Sequence, residues 1–213
     1  HGYFNFGPNA SHMAACCETS KVVIVEVNEN MPVCLGGFEN GVHISNVDMI
    51  VEGSNPTIAE MGGGAAATDV DEAVAKLIVD EIPDGACLQL GIGSIPDAVL
   101  TFLGNKKDLG IHSEMVSDGV VDLYEKGVVT CKAKNFHKDK MVITFLMGTK
   151  KLYEFADDNP AIEMMPVNFV NNPMVIGQND NLVSINAALQ VDLQGQVCAE
   201  AMGLKQFSGI GGQ

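Results

Sequence analysis

Short runs of β-branched and aliphatic residues alternate with helix-period segments along most of the chain, and this confines it to an α/β fold on a mainly parallel sheet. Thr68 or Asp69 can cap a helix in which Val70, Ala73, Val74, Leu77 and Ile78 recur at i, i+3, i+4, i+7 and i+8, ending near Pro83. Residues 86–90 then read as a strand, 91–95 as a turn, and Pro96 as the first position of a helix capped by Ser94. Residues 109–113 form the next strand, with Glu114 at its end. Further units are expected at 128–131, at 141–146 with a helix from about Thr149, at 182–185 and at 196–200. Earlier in the chain, residues 10–18 read as a helix, 21–27 as a buried strand, 28–41 as a loop carrying Pro32, Gly36 and Gly37, and 53–56 as a turn. Residues 61–68, MGGGAAAT, mark the best domain boundary.

In open parallel sheets ligands sit outside the carboxyl ends of the strands. The turn GIGSIP after strand 86–90 and Glu114 both fall at that edge, and a second glycine loop, SGIGGQ, closes the sequence at 208–213. Glycine has no Cβ, so such loops let backbone N–H groups approach a ligand closely. A carboxylate held between them is a candidate nucleophile. Gly91 and Gly93 also serve a plain tight turn. A dinucleotide fingerprint is disfavoured because Pro96 stands where GxGxxG needs its third glycine.

Charge and cysteine usage exclude several classes. A net charge of −15 argues against nucleic acid, whose phosphate backbone needs a basic face. No stretch approaches the roughly 18 uninterrupted apolar residues of a membrane span, and no signal-peptide pattern is evident. The cysteines at 16, 17, 34, 87, 131 and 198 form no CxxC pair and read as reduced, cytoplasmic residues. The histidines at 1, 12, 43, 112 and 137 lack ligand spacing, so no metal site is expected, and His112 reads as a packed strand residue. The chain has no arginine, and several lysines gather at 132, 134, 138 and 140. Phosphates bound here would have to rely on lysine, on backbone amides, or on cations outside the chain.

GIGSIP, LGIHSEMVSDG, NAALQVDLQGQ and GGQ, in this order and spacing, resemble the acetyl-CoA hydrolase/transferase family of class I CoA-transferases. The resemblance runs over the whole chain. It implies two open, mainly parallel-sheet CoA-transferase domains, both incomplete: 1–67 as the C-terminal part of the first and 68–213 as the first part of the second. The chain is then roughly the middle half of a two-domain enzyme. The resemblance also implies that Glu114 becomes a glutamyl-CoA thioester, that Gln89, Leu90, Gly91, Ile92, Gly93 and Gly212 contact CoA or the acyl group, and that the Leu189 backbone borders the same site. Backbone N–H groups at 91–93 and 211–212 are natural donors to the oxyanion intermediates.

Coenzyme A is expected as the acyl-CoA substrate, with no permanently bound cofactor. The implied reaction moves CoA from butyryl-CoA to acetate; 4-hydroxybutyrate as the acyl acid and acetyl-CoA hydrolysis are the alternatives, and a non-catalytic CoA-binding fragment is a reading of another class. Expected partners are acyl-CoA, short-chain carboxylic acids and further copies of the chain, in a homo-oligomer.

Overall fold

The structure is a computed structural model that describes residues 2–61 and 67–209. The strand and helix order begins with β1 (Tyr3–Asn5), α1 (Met13–Thr19), β2 (Ile24–Val27), β3 (Gly41–His43) and β4 (Met49–Glu52). It continues with α2 (Asp69–Glu81), β5 (Cys87–Leu90), α3 (Ser94–Phe102), β6 (Gly110–Val116), α4 (Asp118–Glu125), β7 (Met141–Leu146) and α5 (Lys150–Ala156). After β8 (Ile162–Met164) come two short helices, α6 (Val167–Val170) and α7 (Pro173–Ile176), then β9 (Leu182–Ile185). Four two-residue strands complete the order, β10 (Gln190–Val191), β11 (Val197–Cys198), β12 (Ala201–Met202) and β13 (Lys205–Gln206).

The central sheet has five strands in the order β8-β7-β6-β5-β9, every neighbouring pair parallel. Strand alternation divides it into two faces. Met141 and Ile143 join Leu88, Leu109 and Ile111 in the main core with Ala75, Val99, Val120 and Leu152 from α2 to α5. Val142, between them in β7, packs instead with Met165, Val170 and Phe169. The first sixty residues add Ala10 and Cys34 to the main core, and their small sheets are β1-β3, antiparallel, and β2-β4, parallel.

Thr68 is the cap of α2. Its hydroxyl accepts from the Asp71 N–H at 3.2 Å, and the Asp71 carboxylate accepts from the Thr68 N–H at 2.8 Å, a reciprocal capping box. Gly93 rather than Ser94 precedes α3, because a φ of +125° is open to glycine and lets the helix begin at Ser94, two residues before the expected Pro96. Pro96 is therefore the third helical residue, where its missing N–H has no intrahelical partner to lose.

Four strand expectations change. Residues 21–27, expected as a buried strand, form a strand only over Ile24–Val27, and among the described residues it pairs with β4 alone and leaves Ile24 exposed. Glu114 lies inside β6, which runs on to Val116. Residues 128–131 make only a bridge from Leu109 to Val129, since Cys131 turns at φ +56° and ends the extended run. Residues 196–200 enter antiparallel hairpins rather than a parallel unit, with β11 pairing to β10. Residues 62–66 of the expected boundary lie outside the described residues.

Candidate functional site

The chain leaves β5 toward β6, β7 and β8 on one side and returns with β9 on the other, so the sheet reverses direction at β5. A crevice opens at the carboxyl end of strands at such a switch point. Here it is a cavity of about 650 Å³, lined from β5 by Gln89 and Leu90, from the turn after it by Gly91 and Ile92, from β6 by Glu114 and Met115, and after β9 by Asn186 to Leu189. Residues Ala199, Phe207, Ser208 and Gly209 close it from the C-terminal hairpins.

The β5-β6 ladder pairs Cys87 with Gly110 and Leu88 with Ile111 and goes no further. Beyond it the Ser113 hydroxyl takes the place of ladder bonds, accepting from the Leu90 N–H at 3.1 Å and donating to the Leu90 carbonyl at 3.3 Å. The two strand ends are thus tied without being zipped, and the half-buried Glu114 comes directly after Ser113. Asn171, at the end of α6, donates from Nδ2 to Glu114 Oε2 at 2.7 Å. That bond orients the carboxylate and leaves Oε1 without a protein donor among the described residues.

On the other wall, Gln89 and Asn186 pair their side-chain amides reciprocally. Gln89 Nε2 donates to Asn186 Oδ1 at 3.1 Å and Asn186 Nδ2 donates to Gln89 Oε1 at 2.8 Å. The Ser184 hydroxyl donates to the same Gln89 oxygen and accepts from Asn186 at 3.0 Å. The Gly91 N–H is committed to the Ile185 carbonyl at 2.8 Å, which removes it from the expected oxyanion donors. Among the described residues the Ile92 and Gly93 N–H groups have no acceptor, so the turn still offers two donors.

Of the expected site residues, Gln89, Leu90, Gly91, Ile92, Glu114 and Leu189 line this one cavity. Gly93 adjoins it as the residue before α3; Gly212 and the 211–212 donors lie outside the described residues. Leu189 is half-buried, and its N–H donates to the Cys198 carbonyl at 2.9 Å, so only its carbonyl is left for a ligand. His112, 1% exposed, bonds through Nε2 to the Val170 carbonyl at 2.8 Å and accepts from Asn179 at Nδ1 at 3.4 Å. Burial holds its pKa below the usual imidazole range.

The lysine cluster takes no part in the cavity lining. Lys134 is buried, its ammonium bonded to the Ile111 and Lys140 carbonyls at 2.9 and 2.7 Å. Lys140 in turn caps the Pro160 carbonyl. The lining contains one carboxylate and no cationic side chain among the described residues. Sequence reasoning missed Asn171, for which only the Asn-Asn-Pro helix stop gives a signal, and Ser113, whose role depends on where a ladder ends.

Two family models match the chain. The acetyl-CoA hydrolase/transferase N-terminal domain matches residues 1–60, and the C-terminal domain of the same family matches 148–213. The chain belongs to the acetyl-CoA hydrolase/transferase family. It is 59% identical over its whole length to butyryl-CoA:acetate CoA-transferase of Anaerostipes caccae, and covers 48% of that protein. It is 53% identical, again over its whole length, to 4-hydroxybutyrate coenzyme A transferase of Clostridium kluyveri, covering 49% of it. Among solved structures, 4-hydroxybutyrate CoA-transferase from Porphyromonas gingivalis superposes with a TM-score of 0.86 at 45% identity, over 92% of this chain and 49% of the other. RipA from Yersinia pestis gives a TM-score of 0.88 at 43% identity, over 95% and 46%. The chain thus spans about half the length of the relatives it matches.

Proposed function

We propose that this chain carries the nucleophile of a CoA-transferase that moves CoA from butyryl-CoA to acetate. The observation that supports it is Glu114, a half-buried carboxylate oriented by Asn171 at the wall of a cavity shared with the 89–92 turn. In the proposed cycle the Glu114 carboxylate attacks the thioester carbonyl, the C–S bond breaks, and CoA leaves as the thiolate beside a butyryl-glutamyl anhydride. The thiolate then attacks the glutamyl carbonyl and expels butyrate, leaving a glutamyl-CoA thioester. Acetate attacks that thioester to give an acetyl-glutamyl anhydride and thiolate, and the thiolate takes the acetyl group, restoring Glu114. Each addition places negative charge on a carbonyl oxygen, and the Ile92 and Gly93 N–H groups are the donors assigned to it.

Gln89, Leu90, Gly91, Ile92, Gly93, Leu189 and Gly212 are assigned to coenzyme A, which serves as substrate with no resident cofactor. With no cationic side chain in the lining among the described residues, the cavity suits the uncharged thioester end of CoA, and the phosphates are assigned to groups beyond it. Residues 1–67 and 68–213 are assigned to two domains, in a cytoplasmic homo-oligomer that binds neither nucleic acid nor membrane; no described helix is long and apolar enough to cross one. The second acyl group to test is 4-hydroxybutyrate, because a relative with that name is 53% identical.

The test uses the full-length protein with butyryl-CoA and acetate. Acetyl-CoA formation that needs acetate and disappears in Glu114→Gln supports the transferase, and a hydroxylamine-sensitive adduct on Glu114 identifies the nucleophile. CoA release without acetate points to a hydrolase. Binding of CoA without either reaction leaves a binding module, and 4-hydroxybutyryl-CoA as the faster donor changes the acyl assignment.

A further inference from the structure

We infer that Asn186 is a positioning residue for this reaction, an inference that rests on the transferase reading of Glu114. Asn186 comes directly after β9, and the β5-β9 register sets Gln89 opposite Ser184 and Leu90 opposite Ile185. Its side chain therefore reaches back across the strand pair to the start of the turn. There it does two things at once. It pairs both polar atoms of its amide with the Gln89 amide, and its Oδ1 sits 3.0 Å from the place where a Cβ on Gly91 would stand. A side chain at position 91 would displace it, so glycine at 91 and Asn186 fit each other.

The Ile185 carbonyl immediately before Asn186 holds the Gly91 N–H at 2.8 Å. The same short segment therefore holds the Gly91 N–H through its backbone and, through the Asn186 amide, holds Gln89 two residues before Gly91. The two uncommitted N–H groups belong to the next two residues of the turn, and Ile92 stands in the cavity lining beside Glu114. Donors to a developing oxyanion contribute only where they are held in place before the reaction, and displacements near 1 Å cost about 10²-fold in rate. Asn186 and Ser184 are themselves exposed. Hydrogen bonds so open to water add little to global stability, so the amide pair is expected to act on turnover rather than on folding.

The test is made in the full-length protein with two readouts. Asn186→Ala, and Asn186→Asp, which keeps the shape but cannot donate to Gln89, are expected to lower kcat for acetate-dependent exchange about tenfold or more. The KM for butyryl-CoA should stay within about threefold, and the unfolding midpoint should not move. Gln89→Ala should lower kcat similarly, with a rise in KM of its own because Gln89 is assigned to the CoA site, and the double variant should lower kcat little more, because the two amides act as one unit. Amide hydrogen exchange should show the Gly91 N–H losing protection while Leu88 in the same strand keeps it. Unchanged kcat with unchanged Gly91 protection overturns the inference, as does a rate loss that merely tracks loss of stability. Should the wild-type protein show no acetate-dependent exchange, the transferase reading fails, while exchange at Gly91 still decides whether Asn186 holds the turn.

Discussion

At the scale of single residues, the two glycines of the turn do different work. Gly93 adopts φ +125° and ψ −179°, a region that side chains rarely enter, yet a Cβ there would meet nothing within 4 Å. Gly93→Ala should therefore cost about 1–3 kcal/mol from backbone strain alone, seen as a lower urea midpoint. Gly91 has no such φ, but a Cβ there would stand 3.0 Å from Asn186 Oδ1 and 3.2 Å from the Ile185 carbonyl oxygen, contacts that a shift of a few tenths of an ångström relieves, so Gly91→Ala should disturb the amide pair and the reaction more than stability. Equal losses of stability in both variants would refute this division. The cysteines provide a second check at this scale. Burial pushes the Cys34 and Cys87 thiols up to about 12, so at pH 8 roughly one in ten thousand is thiolate. Iodoacetamide should label the exposed Cys16 in the native protein and reach Cys34 and Cys87 only after denaturation. Early labelling of Cys87, read by peptide mass, would contradict the burial.

At the scale of elements, β6 shows what periodicity reveals and what it leaves hidden. The sequence places a strand before Glu114 and a turn at 91–93, because apolar runs and glycines report local preference. The end of the β5-β6 ladder, the reach of Ser113 into the gap and the approach of Asn171 from α6 depend on residues 23 and 57 positions apart, for which one sequence has no local signal. His112 belongs to the same strand and supports a pH prediction. Burial, with the nearby Lys134 ammonium adding to it, lowers its pKa in the folded chain, whereas the unfolded chain protonates near 6.5. Below that pH the unfolded state takes up a proton that the folded state resists. Stability is therefore expected to fall as pH drops from about 6.5, by at most about 1.4 kcal/mol per pH unit, until the folded pKa is reached. In His112→Gln this part of the decline should vanish. Urea titrations at pH 8, 6.5 and 5.5 measure it, and parallel slopes in the two proteins would exclude His112 as the cause.

At the scale of the whole molecule, the question is how the first sixty residues are joined to the five-stranded sheet. Read from the sequence, residues 28–41 are a loop carrying Pro32, Gly36 and Gly37. In the fold this loop runs along the outer edge of β8: the Met164 N–H donates to the Leu35 carbonyl at 2.9 Å and the Gly37 N–H to the Met164 carbonyl at 3.1 Å. Nearby, the Leu146 N–H donates to the Pro8 carbonyl and the Ala10 N–H to the Thr144 carbonyl, so the N-terminal part of the chain also grips the end of β7. An exposed strand edge invites pairing with other chains, and here the chain's own loop covers it. Gly36 makes that approach possible, since a Cβ would stand 2.2 Å from the Met164 carbonyl oxygen, a backbone atom that cannot swing away. Gly37 differs, because its Cβ would meet the flexible end of Met165. Gly36→Ala is accordingly expected to cost about 1–3 kcal/mol, and Gly37→Ala less. The Met164 amide should lose hydrogen-exchange protection in Gly36→Ala while Ile143, inside β7, retains it. If Met164 stays protected and the unfolding midpoint is unchanged, the loop does not depend on close backbone contact, and the seam is held instead by the Pro8 and Ala10 backbone bonds to β7 and by the buried Ala10 and Cys34 side chains.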